Sequence, residues 1–139
     1  MLTRENSFEG KRISVAGLGV AGFAAADALS QLGASVSVFD ASETEQNIER
    51  AQVLNVIGVK TFLGWNKDLP LDIDLLVVSP GLTPRHPWIN AALKSNIAVW
   101  GELELAWQLR PTHNPAPWLC ITGTNGKTTA TLMLASILQ

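Results

Sequence analysis

The stretch RISVAGLGVAG, residues 12–22, decides the fold. Arg12–Ala16 is a short run with β-branched residues, the composition of a strand. Gly17-Leu18-Gly19-Val20-Ala21-Gly22 follows as a G-x-G-x-x-G. From inside this motif onward, Val20, Phe23, Ala24, Leu29 and Leu32 recur with no breaker after Gly22 until Gly33, which predicts a helix over 20–32. A strand that enters a helix through such a turn opens a βαβ unit. Its glycines serve a tight turn, a close backbone approach to a phosphate, and helix–strand packing.

Working outward, Ser35–Phe39 alternates small polar and branched residues, as a strand does. A helix is expected over 46–57, closed by Gly58, and a short strand over 59–63. The apolar run DLLVVS, 74–79, suits a central parallel strand covered on both faces. His86-Pro87 opens another helix with Trp88, Ile89, Ala92 and Leu93 on one side, then come a strand over 97–100 and a short helix over 101–109. Alternating strands and helices imply right-handed crossovers. The expected class is α/β, a Rossmann-like doubly wound parallel sheet of about five strands.

Three prolines in RPTHNPAP, 110–117, break both helix and ladder and mark a linker. After it, WLCIT (118–122) reads as a strand and 127–139 as a helix, the strand–loop–helix opening of a second domain that cannot bury its own apolar face. The expected division is 1–110, a linker over 111–117, and 118–139.

Composition narrows the function classes. The 139 residues are 47% hydrophobic and 16% charged, with a formal net charge of −2 and their ten Lys and Arg scattered. Nucleic acid or an anionic membrane as main partner would need a concentrated basic patch. One cysteine, Cys120, excludes an internal disulfide and fits a reducing compartment. The polar start MLTRENSFEGKR is no secretory signal, and no apolar run approaches the roughly 20 residues of a bilayer span. A cytoplasmic protein is expected.

Two loops carry chemistry. In the first, the amides at the start of the helix face an anion, and Asp40, ending the next strand, stands where a ribose-reading acid belongs. On the residues alone this suits an NAD(P)-binding module, or a tight turn with a solvated acid. The second is ITGTNGKTT, 121–129, which departs from G-x-x-x-x-G-K-[ST] by placing Ile121 where glycine is usual. Backbone amides of Gly123, Thr124, Asn125, Gly126 and Lys127 can still cradle phosphate oxygens ahead of Thr129. Lys127 can neutralise the β- and γ-phosphates, and the Thr128 hydroxyl can ligate Mg²⁺.

Through T-G-T-N-G-K-T, residues 122–128, the chain resembles the Mur ligases, ATP-dependent amide-bond ligases of peptidoglycan precursor synthesis. GLGVAG, Val78-Ser79-Pro80-Gly81 and Gly101-Glu102-Leu103-Glu104-Leu105 bring it nearest to the D-glutamate-adding branch. Asn125 separates it from the folylpolyglutamate synthases and from the L-alanine-adding branch, the alternative within the family, which typically has histidine there.

The resemblance implies a first domain that holds UDP rather than NAD. Gly17, Gly19 and Gly22 would shape the turn, and Val20 and Ala21 would meet the phosphates through their backbone. Asp40, Ala41 and Ser42 would face uracil and ribose, with Ser79, Pro80 and Gly81 on the opposite wall. It further implies ATP and Mg²⁺ as cofactors, UDP-N-acetylmuramoyl-L-alanine and D-glutamate as substrates, an acyl phosphate intermediate, and Lys127 as the catalytic residue. The protein is expected to be a monomer. Because the remaining ATP and amino-acid sites of such ligases lie further along, these residues alone are expected to be inactive. Ala21 replaces a common Ser or Thr, and Ala41 and Ser42 replace larger groups, which weakens side-chain contributions to uridine binding.

Several other residues draw attention. Glu102 and Glu104, two apart at a helix start, share no helical face and suit the helix dipole better than acid–base work. His86 and His113 are isolated, and Trp65, Trp88, Trp100 and Trp107 read as packing residues. Cys120 reads as a buried, inert thiol.

Overall fold

The protein is described by a computed structural model over residues 8–111 and 113–138. Five strands, β1 (Arg12–Ala16), β2 (Ser35–Phe39), β3 (Lys60–Phe62), β4 (Leu75–Val78) and β5 (Ala98–Gly101), form one sheet in the order β3-β2-β1-β4-β5. Every pairing is parallel; Ile13, for example, stands opposite Val36 on one side and Leu75 on the other. Parallel strands need crossovers, which the helices α1 (Val20–Gln31), α2 (Glu45–Val56) and α3 (Pro87–Lys94) supply. Helix α4 (Glu102–Gln108) follows β5 directly, and α5 (Lys127–Leu138) lies beyond the linker.

Both faces of the sheet are covered because side chains alternate along each strand. Ile13, Val15, Leu75 and Val77 point to the side where Ala25, Ala26, Leu29, Leu54 and Leu105 of α1, α2 and α4 pack. Ala16 and Leu76 point to the other, where Trp88 and Ala92 of α3 meet Phe39 and Leu69. The helices start within one residue of where the sequence places them. Thr44 caps α2 by accepting the Asn47 amide at 3.3 Å, and Pro87 takes the first turn of α3.

The second half of the chain differs from expectation in one element. No strand forms over 118–122: the described sheet ends at β5, so this run has no ladder to join, and Leu119 is 58% exposed. For the same reason Cys120 is exposed rather than buried. Instead, Arg110 organises the linker. Its guanidinium lies 4.3 Å from the Trp107 ring and 5.6 Å from that of Trp118, and donates to the Ala116 carbonyl. Trp107 and Trp118 themselves meet edge-on at 5.2 Å. Trp107 is therefore an exposed stacking residue, while Trp88 and Trp100 are buried as expected. Helix α5 buries none of its residues. No helix among the described residues is long and apolar enough to cross a membrane.

Candidate functional site

Strand order reverses between β1 and β4, and in open parallel sheets ligands bind outside the carboxyl ends of the strands at that point. The glycine-rich turn sits there. Gly17, at φ +96°, turns the chain out of β1, and a side chain there would fall 2.9 Å from the Ser79 Cβ. Gly22 faces the Gly17 carbonyl so closely that no side chain fits. Gly19, by contrast, has nothing within 4 Å of where a Cβ would stand, so its side is open to a ligand. It caps α1 without any side-chain hydrogen bond, and the first turn of α1 carries no acid. The amides there are free to meet an anion.

Asp40 does more than wait for a ligand. Its Oδ2 accepts the Leu18 amide at 2.6 Å, and its Oδ1 accepts the Ser42 amide at 2.8 Å and the Ser42 hydroxyl at 2.6 Å. A carboxylate accepts about four hydrogen bonds. Asp40 thus braces the glycine turn and keeps about one acceptor position for a partner. Across the switch point the Ser79 hydroxyl donates to the Gly17 carbonyl at 3.0 Å.

A cleft of about 380 Å³ opens beside this turn, lined among others by Gly17, Asp40 and Ala41. Its far side was not legible in the sequence. The connection from β3 to β4 supplies Trp65, Asn66, Lys67 and Asp68, and the segment before α3 supplies Leu82 and His86. The indole of Trp65 donates to the Asp68 carbonyl at 3.2 Å, and that of Trp88 donates to the Lys67 carbonyl at 3.0 Å. His86 caps α3, its Nδ1 accepting the Trp88 amide at 3.3 Å. Beneath lie Phe39 and Phe62, stacked at 4.8 Å, with Trp65 edge-on to both. The tryptophans signalled packing in the sequence; Trp65 packs and also walls the cleft.

The other expected residues are divided between places. Ser79 and Pro80 line a second opening with Glu102, Leu103 and Glu104. Gly81 lines neither cleft. Ala21 faces α4 alongside Leu105, and Val20 is 76% exposed at the helix start. Ser42 acts through Asp40 rather than on the cleft. Glu104 accepts from Gln108 at 2.7 Å, one turn along α4.

The second loop folds as a separate feature. Gly123 and Gly126 take φ of +148° and +76°, and the Lys127 ammonium curls back to donate to the Gly123 carbonyl at 2.6 Å. Lys127 therefore already reaches the concave side of the loop, where phosphate oxygens would compete for it. Thr128 lies exposed in the first turn of α5. Among the described residues no three His, Cys, Asp or Glu side chains come together to hold a metal. Mg²⁺ would fit at Thr128 only with phosphate oxygens supplying further ligands, its usual mode.

The chain is 46% identical over 136 residues to UDP-N-acetylmuramoylalanine--D-glutamate ligase of Streptomyces coelicolor, covering 96% of this chain and 29% of that protein. It is 44% identical over 137 residues to the ligase of the same name from Frankia casuarinae, covering 99% and 28%. The chain thus spans less than a third of the length of these relatives. Among solved structures, the murein peptide ligase of Psychrobacter arcticus matches with a TM-score of 0.63 at 24% identity, over 93% of this chain and 26% of that one. UDP-N-acetylmuramate:L-alanyl-gamma-D-glutamyl-meso-diaminopimelate ligase from Neisseria meningitides matches with a TM-score of 0.61 at 21% identity, over 93% and 39%. These two share the fold. The model of the Mur ligase MurD-like N-terminal domain matches residues 11–101, from the start of the sheet to its last strand, and the chain belongs to that family.

Proposed function

We propose that residues 1–110 bind the UDP part of UDP-N-acetylmuramoyl-L-alanine, and that, beyond a linker at 111–117, residues 118–139 begin an ATP site. The protein they serve is a cytoplasmic, ATP-dependent ligase, monomeric, that joins D-glutamate to that substrate. The observation that carries the reading is the switch-point geometry: Gly19 open to approach, free amides at the acid-free start of α1, and Asp40 at the mouth of a cleft. The relatives in Streptomyces coelicolor and Frankia casuarinae favour the D-glutamate-adding branch over the L-alanine-adding one.

In this reading the diphosphate lies against the Gly19, Val20, Ala21 and Gly22 backbone, and Asp40 gives its last acceptor position to an N–H or hydroxyl of the uridine. Gly17, Ala41 and Ser42 shape that end, with Ser79, Pro80 and Gly81 across the switch point. Amide formation requires the L-alanyl carboxylate to take the γ-phosphoryl of ATP, and the amine of D-glutamate to displace phosphate. Lys127 stabilises charge on the transferring group, the loop from Gly123 to Gly126 holds the phosphates, and Thr128, next to Thr129, offers its hydroxyl to Mg²⁺. Mg²⁺, held in part by the Thr128 hydroxyl, would supply charge neutralisation for the phosphates. Because the chain spans less than a third of its relatives, these 139 residues are expected to bind nucleotide without ligating.

Calorimetric titration of the chain with UDP, UDP-N-acetylmuramoyl-L-alanine and NADH tests the reading. Both uridine compounds are expected to bind. NADH binding without UDP binding would sink the proposal in favour of an NAD(P) module. A narrower check is Asp40→Ala, which strands the Leu18 amide and removes the last acceptor. UDP affinity is expected to fall about tenfold, about 1.4 kcal/mol, the worth of a hydrogen bond to a charged group. An unchanged affinity would remove Asp40 from the site.

A further inference from the structure

The Leu18 peptide groups are held from both sides by a ring of hydrogen bonds that runs out to α2 and back. The Leu18 amide donates to Asp40, whose Oδ1 accepts the Ser42 hydroxyl. That hydroxyl oxygen accepts from the Asn47 side-chain amide at 2.8 Å. The Asn47 side-chain oxygen faces Arg50, whose Nη1 lies 3.5 Å away and also donates to the Leu18 carbonyl at 3.2 Å. Arginine only donates, so it fixes which way the Asn47 amide points. Asn47 is 7% exposed, although asparagine on a helix is ordinarily solvated. The Leu18 side chain is at the same time fully buried in the core. Side chain, N–H and C=O of one residue in the glycine turn are thus all fixed.

Resting on the nucleotide reading above, we infer that Asn47 and Arg50 of α2 are positioning residues for nucleotide binding. They act through Asp40 and Leu18, setting both the carboxylate and the line of amides from Gly19 to Ala21 before the ligand arrives. Pre-setting these groups removes ordering that binding would otherwise have to bring about.

The test compares UDP affinities of the unsubstituted 139-residue chain with Asn47→Ala, Arg50→Met, Arg50→Lys and the Asn47→Ala/Arg50→Met double variant. Each is titrated well below its own melting temperature, so that lost stability does not register as lost affinity. Arg50→Met is expected to weaken UDP about tenfold and Asn47→Ala about fivefold, the scale of one hydrogen bond to a charged or buried group. Arg50→Lys keeps a donor for the Leu18 carbonyl and is expected to stay within about threefold. The double variant is expected to lose less than the product of the singles, since both break one ring. Should Asn47→Ala fail to fold, Asn47→Asp carries the test at equal volume. It replaces the donor to Ser42 by an acceptor and is expected to weaken UDP at least as much. Affinities of Asn47→Ala (or Asn47→Asp) and Arg50→Met within twofold of the unsubstituted chain overturn the inference and leave the nucleotide reading standing. So does a lysine variant as weak as the methionine one, or full additivity. No UDP binding by the unsubstituted chain overturns both.

Discussion

Gly22→Val is expected to lower the melting temperature of the chain by about 10 °C or more, while Gly19→Ala leaves it within about 2 °C. The contrast follows from what a first side-chain carbon meets. At Gly22 it would fall 1.9 Å from the Gly17 carbonyl oxygen and 2.8 Å from the Ser79 Oγ; at Gly19 it meets nothing. The obstructing oxygen belongs to backbone and already accepts the Ser79 hydroxyl, so it cannot swing aside. Relief requires α1 to lift from β1, drawing Ala25, Ala26 and Leu29 out of the core. Overpacking of this kind costs about 3 kcal/mol or more, and a domain of this size loses roughly 3–4 °C per kcal/mol. Circular dichroism melts of the three proteins decide the matter. A valine variant that melts with the parent would mean that the helix does not seat as closely on the strand as described.

Lys127→Ala is expected to lower the ligation rate of a ligase containing this chain by about 10²–10³-fold. That is the usual loss when one preorganised charge partner of a transition state is removed. The 139-residue chain itself should fold and bind UDP as before, because Lys127 is exposed and its bonds to Gly123 and Thr124 are local. The pair of measurements, phosphate release with all three substrates and UDP titration, separates the two proposed nucleotide sites. Retention of the rate within tenfold would remove Lys127 from the phosphoryl-transfer chemistry. A parallel loss of UDP affinity would show that the two loops are not independent.

What the sequence revealed and what it concealed follow from the range of the forces involved. The sheet was legible because glycine turns, alternation and helix stops are local: Gly33 and Gly58 end α1 and α2 at φ of +82° and +87°. The first wall of the cleft was legible for the same reason, since Gly17 and Asp40 belong to one βαβ unit. The second wall was not. Trp65, Lys67 and Asp68 come from an irregular connection whose place is set by contacts far along the chain, such as the Trp88 indole reaching the Lys67 carbonyl. The strand expected over 118–122 failed for a related reason: residues with strand character make a strand only where another strand offers hydrogen bonds. Nor did the sequence disclose that Asp40 is already engaged, because spacing predicts where an acid stands and not what it accepts.

The way the cleft's far wall is fastened has a consequence for how such a site can change over generations. Both indoles grip main-chain carbonyls, those of Lys67 and Asp68, and leave the side chains at these positions exposed on the rim. These hydrogen bonds are therefore indifferent to which amino acids occupy 67 and 68; only at 67 does the side chain add to the wall, its ammonium lying 5.6 Å from the Trp65 ring. Variation at the rim can retune what the cleft admits while the scaffold stays put, so selectivity and stability are free to drift apart in this part of the molecule.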